Sequence, residues 1–238
     1  MSTRDVSIVI PVLSDSPALG ILLGSVRAWA AQPAEIVVVA GKADESLESL
    51  CREHDCRLLL TTPCRGAQLD LGAGACGSTI LWFLHADAEP EASSLEAIGA
   101  AIAGGAKGGY FQFKFQGPPR WQKTILQGLI RLRTRLGGIP YGDQGLFVRR
   151  DAYAACGGFA HEPLFEDAML VRKLRMRGRF EALRLPIGVA TRRWERDGWW
   201  RRSFANRWLA LAHAAGVPAR RLAPRYYAAP LPRKDLQR

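Results

Sequence analysis

Four short apolar runs in the first 90 residues constrain this chain more than anything else in it. VSIVIPVL (residues 6–13), AEIVVVA (34–40), CRLLLTT (56–62) and TILWFLHAD (79–87) are mostly rich in Val, Ile and Leu, and they end on Pro, Gly or polar residues. Runs of that length and composition read as strands buried on both faces. ALGILLGSVRAWAAQ (18–32) and ADESLESLCREHD (43–55) lie between them with helical spacing, and GAQLDLGAGAC (66–76) reads as a helix of small residues. The order β-α-β-α-β-α-β predicts an α/β fold: a mostly parallel central sheet with helices on both faces.

In such sheets ligands sit beyond the carboxyl ends of the strands. Asp15, Asp44, Arg65, His85 and Asp87 all fall just after an expected strand or at the start of the next element. Side chains two apart on an extended chain point the same way, so His85 and Asp87 are expected to face one space with Ala86 turned from it. That is either a strand end meeting solvent or half of a metal-diphosphate site.

Beyond residue 90 the texture changes. A helix is expected from Pro90 to about residue 103, a half-exposed strand in GGYFQFKFQG (108–117) and a helix over 121–138. A short strand comes next in QGLFVRRDAY, then a helix from Glu166 to about Arg177 capped by Gly178. The Trp121, Ile125, Leu129, Leu132 and Leu136 face of the 121–138 helix, and GWWRRSF (198–204), are expected to pack on the core, with a lipid surface as the alternative. The expected organisation is one domain, with halves at 1–118 and 119–222 and a Pro- and Arg-rich tail over 223–238.

Charge divides along the same line. Residues 1–118 hold a net −5 and residues 119–238 a net +16, within a chain of 238 residues and formal charge +11. A basic half attracts anions: phosphate-bearing substrates, acidic headgroups or nucleic acid. No nucleic-acid module is present in the sequence, so no nucleic-acid partner is expected. Five cysteines without a C-x-x-C fit a reducing compartment better than a disulfide framework. With neither a signal pattern nor a membrane-length apolar run, a cytoplasmic location is expected, in peripheral contact with the membrane if the lipid alternative holds.

SIVIPVLSD, CRGAQLDLGA, LWFLHADAEP, YGDQGLFVRR with CGGFAHEPLFEDAMLVRKLRMRG, and TRRWERDG occur in that order. Together they resemble family 2 glycosyltransferases with the GT-A nucleotide-diphospho-sugar fold, most closely the branch named for arsenosugar biosynthesis. The resemblance implies an inverting transfer of a sugar from a nucleoside-diphosphate sugar to a hydroxyl acceptor of unknown identity, with a divalent cation, Mn²⁺ or Mg²⁺, as cofactor; if the lipid alternative for the Trp121–Leu136 face and GWWRRSF holds, that acceptor is lipid-linked. It places Pro11, Asp15, Asp44, Arg65, Gln68, His85 and Asp87 around the donor, with Asp87 as the metal carboxylate. It places Asp143, Gln144, Glu166, Arg193 and Trp194 by the acceptor or sugar, and Asp167 as the base that takes the acceptor proton.

Each of these has a plainer reading beside it. Glu166 and Asp167 are also what a helix N-terminus favours, Gly-Asp-Gln-Gly is good turn chemistry, and Arg193-Trp194 suits a basic patch with a core Trp. The chain also departs from the family pattern: Ala40 stands where an Asp commonly closes the second strand, and Asp70 replaces a usual Asn. The alternative function is therefore a degenerate member of the fold that binds nucleotide or other anions without turnover.

Overall fold

The structure, a computed structural model, describes residues 5–13, 16–42 and 44–227. They form two compact units, divided between Ala190 and Thr191. The first unit runs β1 (Val6–Val12), α1 (Ser16–Arg27), β2 (Glu35–Ala40), α2 (Glu45–Glu53), β3 (Arg57–Leu60), α3 (Arg65–Ala75) and β4 (Ile80–Phe83). It continues with β5 (Glu89–Pro90), α4 (Ser94–Ala103), β6 (Gly108–Phe115), α5 (Trp121–Arg135), a 3₁₀ turn at Gly142–Gln144, β7 (Phe147–Arg149), α6 (Arg150–Ala155), α7 (Glu166–Arg177) and β8 (Phe180–Val189). The second unit holds α8 (Arg192–Asp197), α9 (Trp199–Ala214) and α10 (Ala219–Tyr227).

One eight-stranded sheet has the order β3-β2-β1-β4-β7-β6-β8-β5. The β3-β2-β1-β4 half is parallel throughout, while β7 is antiparallel to both β4 and β6. The period-2 alternation of the strands sorts the core into two layers. Val6, Ile8 and Ile10 of β1, Ile36 and Val38 of β2, and Trp82 of β4 pack under α1, α2 and α4. Val9, Val37, Val39, Leu81 and Phe83 point the other way, under α3, α6 and α7. Helices thus cover both faces, as the apolar runs require.

The strand order places the site. The chain builds outward from β1 through β2 to β3, then returns across β1 to lay down β4 on its other side. The crevice at such a reversal, beyond the strand ends, is where a doubly wound sheet receives a ligand. α3 makes the return crossing and lies close on the sheet, because Gly72 has no side chain where one would collide with Val9 and Val39.

Three expectations are corrected. The helix after the fourth strand starts at Ser94, not Pro90: Glu89 and Pro90 instead pair antiparallel with Gly188 and Ile187. Proline is tolerated there because β5 is the sheet edge and no ladder donor is needed from it. The tail expected from residue 223 is helical through Tyr227, with Pro224 inside α10, because Ala219, Leu222 and Ala223 are buried; residues 228–238 lie outside the described residues. The third correction is α5. Its buried residues are Lys123, Leu126 and Thr134, and Gln127 accepts a hydrogen bond from the Phe115 N–H at 2.8 Å. The face of Trp121, Ile125, Leu129, Leu132 and Leu136 therefore points away from the core, and those five are 45–78% exposed.

Neither β8 nor α9 has a counterpart in the sequence reading. β8 pairs parallel with β6 over most of its length, and α9 buries only Arg202 and Leu209.

Candidate active site

The crevice begins at the end of β4. Leu84 N–H donates to Val9 O at 3.0 Å and holds the chain against β1, after which Ala88 N–H closes a turn on His85 O at 3.1 Å. Within that turn Ala86 and Ala88 are buried while His85 and Asp87 are half-exposed. The Gln116 amide donates to Asp87 O at 2.7 Å and fixes the turn from β6.

A second loop meets the first. The turn at Gly142–Gln144 ends on Gly145 with φ 58°, a left-handed conformation that glycine adopts without strain. Gln144 is buried and its amide donates to Phe111 O at 3.1 Å; that anchors the loop to β6 and leaves the amide nitrogen turned into the fold. A methyl group added at Gly142 would stand 3.1 Å from His85 Nε2 and 3.4 Å from Asp167 Oδ2. The imidazole and the carboxylate thus flank the same glycine.

The third component is the start of α7. Phe165, immediately before it, has φ 62°, a region a bulky side chain enters only when its surroundings hold it there. This bend turns Glu166 and Asp167 inward, where they are 1% and 2% exposed. The Gly142 N–H donates to Asp167 Oδ2 at 2.6 Å, while Asp167 Oδ1 is buried without a hydrogen-bond partner in the protein. Glu166 Oε1 accepts from Arg65 Nε, and its Oε2 is likewise unpartnered. Buried carboxylate oxygens are nearly always hydrogen-bonded, so two orphans side by side mark a place where a donor group belongs.

Electrostatics sharpen that reading. Burial, and then the neighbouring Glu166 charge, push the Asp167 carboxyl up to about 7, against the opposing pull of Arg65 and the Gly142 N–H. Desolvation also raises Asp143, opposed by Arg133 and Arg65 and reinforced by Asp87. Arg133 stacks over the Tyr141 ring at 4.8 Å. Burial thus leaves Asp167 with a titration near neutrality and one carboxylate oxygen without a partner, a perturbation of the kind that marks candidate functional groups.

The structure therefore gathers Arg65, His85, Asp143, Glu166 and Asp167 at the strand ends, with Asp87 near enough to bear on Asp143. It gives two expected donor residues other work. Gln68 is buried and its amide nitrogen donates to Val12 O at 2.8 Å and Val39 O at 2.9 Å, tying β1 to β2. Asp44 caps α2, accepting the Leu47 N–H at 2.9 Å. Pro11 lies within β1, opposite Val39, and Asp15 lies outside the described residues. Arg193 and Trp194 belong to the second unit: Arg193 stacks over Tyr226 at 4.9 Å and Trp194 Nε1 donates to Ser203 Oγ at 3.1 Å. Gly142, Gln116, Arg133 and Phe165 escaped the sequence reading. Only the glycine leaves a trace there, in its Gly-Asp-Gln-Gly context.

A family profile described as glycosyl transferase family 2 matches residues 7–157, well over half the chain. The chain belongs to glycosyl transferase family 2. No curated protein matches it, and the solved structures it resembles include glycosyltransferases of low identity. The mannosyltransferase PcManGT from Pyrobaculum calidifontis, in complex with GDP-Man and Mn²⁺, is 18% identical with a TM-score of 0.65, covering 94% of this chain and 70% of that one. Glucosyl-3-phosphoglycerate synthase from Mycobacterium tuberculosis, with Mn²⁺, UDP and glucosyl-3-phosphoglycerate, is 15% identical with a TM-score of 0.57, covering 77% and 70%. TarS residues 1–349 from S. aureus with UDP-GlcNAc is 14% identical with a TM-score of 0.60, covering 80% and 58%. At these identities the likeness is one of fold, and the fold of this family 2 member is GT-A.

Among the described residues no three His, Cys, Asp or Glu side chains group as a metal site. Mg²⁺ and Mn²⁺ suit a sparser arrangement, one or two carboxylates with substrate phosphates completing the shell. The half-exposed Asp87 carboxylate, beside His85 at the strand end, fits that donor set.

One prediction concerns how this family 2 site is assembled. Gly66, in the first turn of α3, has no room for a side chain, because a methyl group there would overlap Ala160 O in the segment leading to Glu166. Gly66→Ala should destabilise the protein by about 3 kcal/mol, lowering the urea midpoint. An unchanged midpoint would show that the 160–162 segment moves freely.

Proposed function

We propose that this family 2 chain transfers a glycosyl group from a nucleoside-diphosphate sugar to a hydroxyl acceptor, with inversion and with Asp167 as general base. The observation that carries this is the buried Asp167 carboxylate, held by one oxygen on Gly142 N–H while the other, also buried, has no hydrogen-bond partner in the protein. The acceptor hydroxyl donates to Asp167 Oδ1. As its oxygen bonds to the anomeric carbon, the proton passes to Asp167 and the bond from that carbon to the diphosphate breaks. A single in-line displacement of this kind inverts the carbon.

Glu166, neutralised in part by Arg65, supports the base and leaves its Oε2 for a second acceptor hydroxyl. Asp143 lines the sugar side of the same space. Asp87, with His85 beside it, would hold a divalent cation. When bound, that ion neutralises charge on the departing diphosphate as a Lewis acid. The RGAQ…LGA, FLHAD, GDQGLF and RRW set supports placing the chain in the branch named for arsenosugar biosynthesis, without identifying the acceptor. Arg193 and Trp194 remain acceptor-side residues by resemblance.

A second reading, binding without turnover, is favoured by the end of β2. Ala40 is fully buried and Asp44 is engaged in capping, so neither offers the usual carboxylate to a nucleotide base. Calorimetry with a panel of nucleoside diphosphates and their sugars, and then a product assay with simple hydroxyl acceptors, separates the two. Metal-dependent donor binding with product supports the transferase. Tight binding with no release of nucleoside diphosphate for any donor, including by hydrolysis, supports the second reading.

A further inference from the structure

We infer that the outward face of α5 is a docking surface for an anionic lipid bilayer. At about 100° per residue, Trp121, Ile125, Leu129, Leu132 and Leu136 fall in one narrow sector, opposite the buried Lys123, Leu126 and Thr134. Five large apolar side chains on one exposed helix face make a contiguous patch, which soluble surfaces rarely carry without a partner. The helix is about 22 Å long at 1.5 Å per residue, enough to lie along a membrane surface.

Charge selects the partner. No acidic residue occurs from residue 117 to residue 142, and Arg120, Arg131 and Arg135 are exposed beside the stripe. An apolar stripe with a Trp at one end, flanked by arginines and lacking carboxylates, has the chemistry of a helix lying in the headgroup region of acidic lipid. A second copy of this chain would bring like charge against like charge.

The stripe is joined to the site. Leu136 is six residues before Gly142, so a surface reached by the stripe lies within about 20 Å of the loop that holds Asp167. An acceptor carried in that bilayer would then be within range, a consequence that rests on the transferase reading, whereas docking itself does not. The second unit has its own exposed stripe, Trp200, Phe204, Trp208 and Leu211 on α9, with Arg201 and Arg207 exposed. It supplies a control.

The test is flotation of the full chain with phosphatidylcholine vesicles, with and without about a quarter phosphatidylglycerol. Binding is expected to the acidic vesicles and to fall steeply in high salt. Leu129→Glu should reduce it at least about tenfold, and Arg131→Gln with Arg135→Gln about thirtyfold together, with thermal unfolding and nucleotide titration unchanged. Absence of wild-type binding to acidic vesicles would overturn the inference. So would wild-type flotation by Leu129→Glu, or loss of binding in Phe204→Glu alone. A dimer seen by light scattering and broken by Leu129→Glu, without vesicle binding, would assign the face to a second copy instead. Nucleotide titration reports separately on the transferase reading, so failure of one is distinguishable from failure of the other.

Discussion

Asp167→Asn is expected to lower glycosyl transfer by about 10²–10⁴-fold, to leave donor binding nearly unchanged, and to stabilise the protein at alkaline pH. The asparagine keeps the shape and still accepts the Gly142 N–H, so the site should remain assembled while losing the proposed base. The neighbouring Glu166 cannot replace it, because Arg65 holds that carboxylate. The stability effect comes from the sign of the shift. Asp167 has its carboxyl raised from 3.8 to about 7 in the folded protein, so between those values the folded state binds more protons than the unfolded one. Wild-type stability must therefore fall as pH rises through that window. The variant has no such charge to bury, so its unfolding temperature should exceed the wild type's at pH 8 and match it more closely at acid pH. Wild-type kcat/KM should decline below about pH 7, by about tenfold per unit once the base is protonated. Transfer by Asp167→Asn at the wild-type rate would remove Asp167 from the mechanism.

Asp87→Ala should abolish the metal-dependent part of donor binding, a loss of about 10²-fold or more in nucleotide-sugar affinity. Chelation of the wild type should produce the same loss, and the variant should then be indifferent to Mn²⁺. Stability should barely change, because the Gln116 amide bonds the Asp87 carbonyl, which the substitution keeps. Equal donor affinity with Mn²⁺ and with chelator in the wild type would reduce the His85–Asp87 turn to an ordinary strand end. The two substitutions also separate the competing functions. A binder without turnover would lose affinity through Asp87 and show no catalytic consequence at Asp167, whereas a transferase is sensitive at both.

The layered sheet was legible because burial on both faces forces continuous apolar strands, and the helices between them must cover one face or the other. At His85 and Asp87 the sequence led only to the end of a strand: extended-chain alternation was expected, whereas the segment is a turn closed by Ala88 N–H on His85 O, in which Ala86 and Ala88 are the buried residues. The same local rules misassigned the outer face of α5. A stripe at helical spacing states that a helix has an apolar side, yet says nothing of which side meets the protein, and here Leu126, Gln127 and Lys123 hold the inner one. Gln68 shows the converse, a polar side chain whose neighbours in sequence suggest a ligand and whose partners in space are two strand-end carbonyls.

By itself the sequence determined the alternation of strands and helices, the basic second half and the chemical types available at the strand ends, because these depend on periodicity and composition. Only the tertiary structure decided that Gly142 sits between His85 and Asp167, that Phe165 bends the chain so two carboxylates enter the interior, and that one buried oxygen of each is left without a hydrogen-bond partner. Those facts arise from contacts between residues far apart in the chain, including Arg65 with Glu166. The energetics of a buried charge depend on what surrounds it in space, which no local pattern encodes.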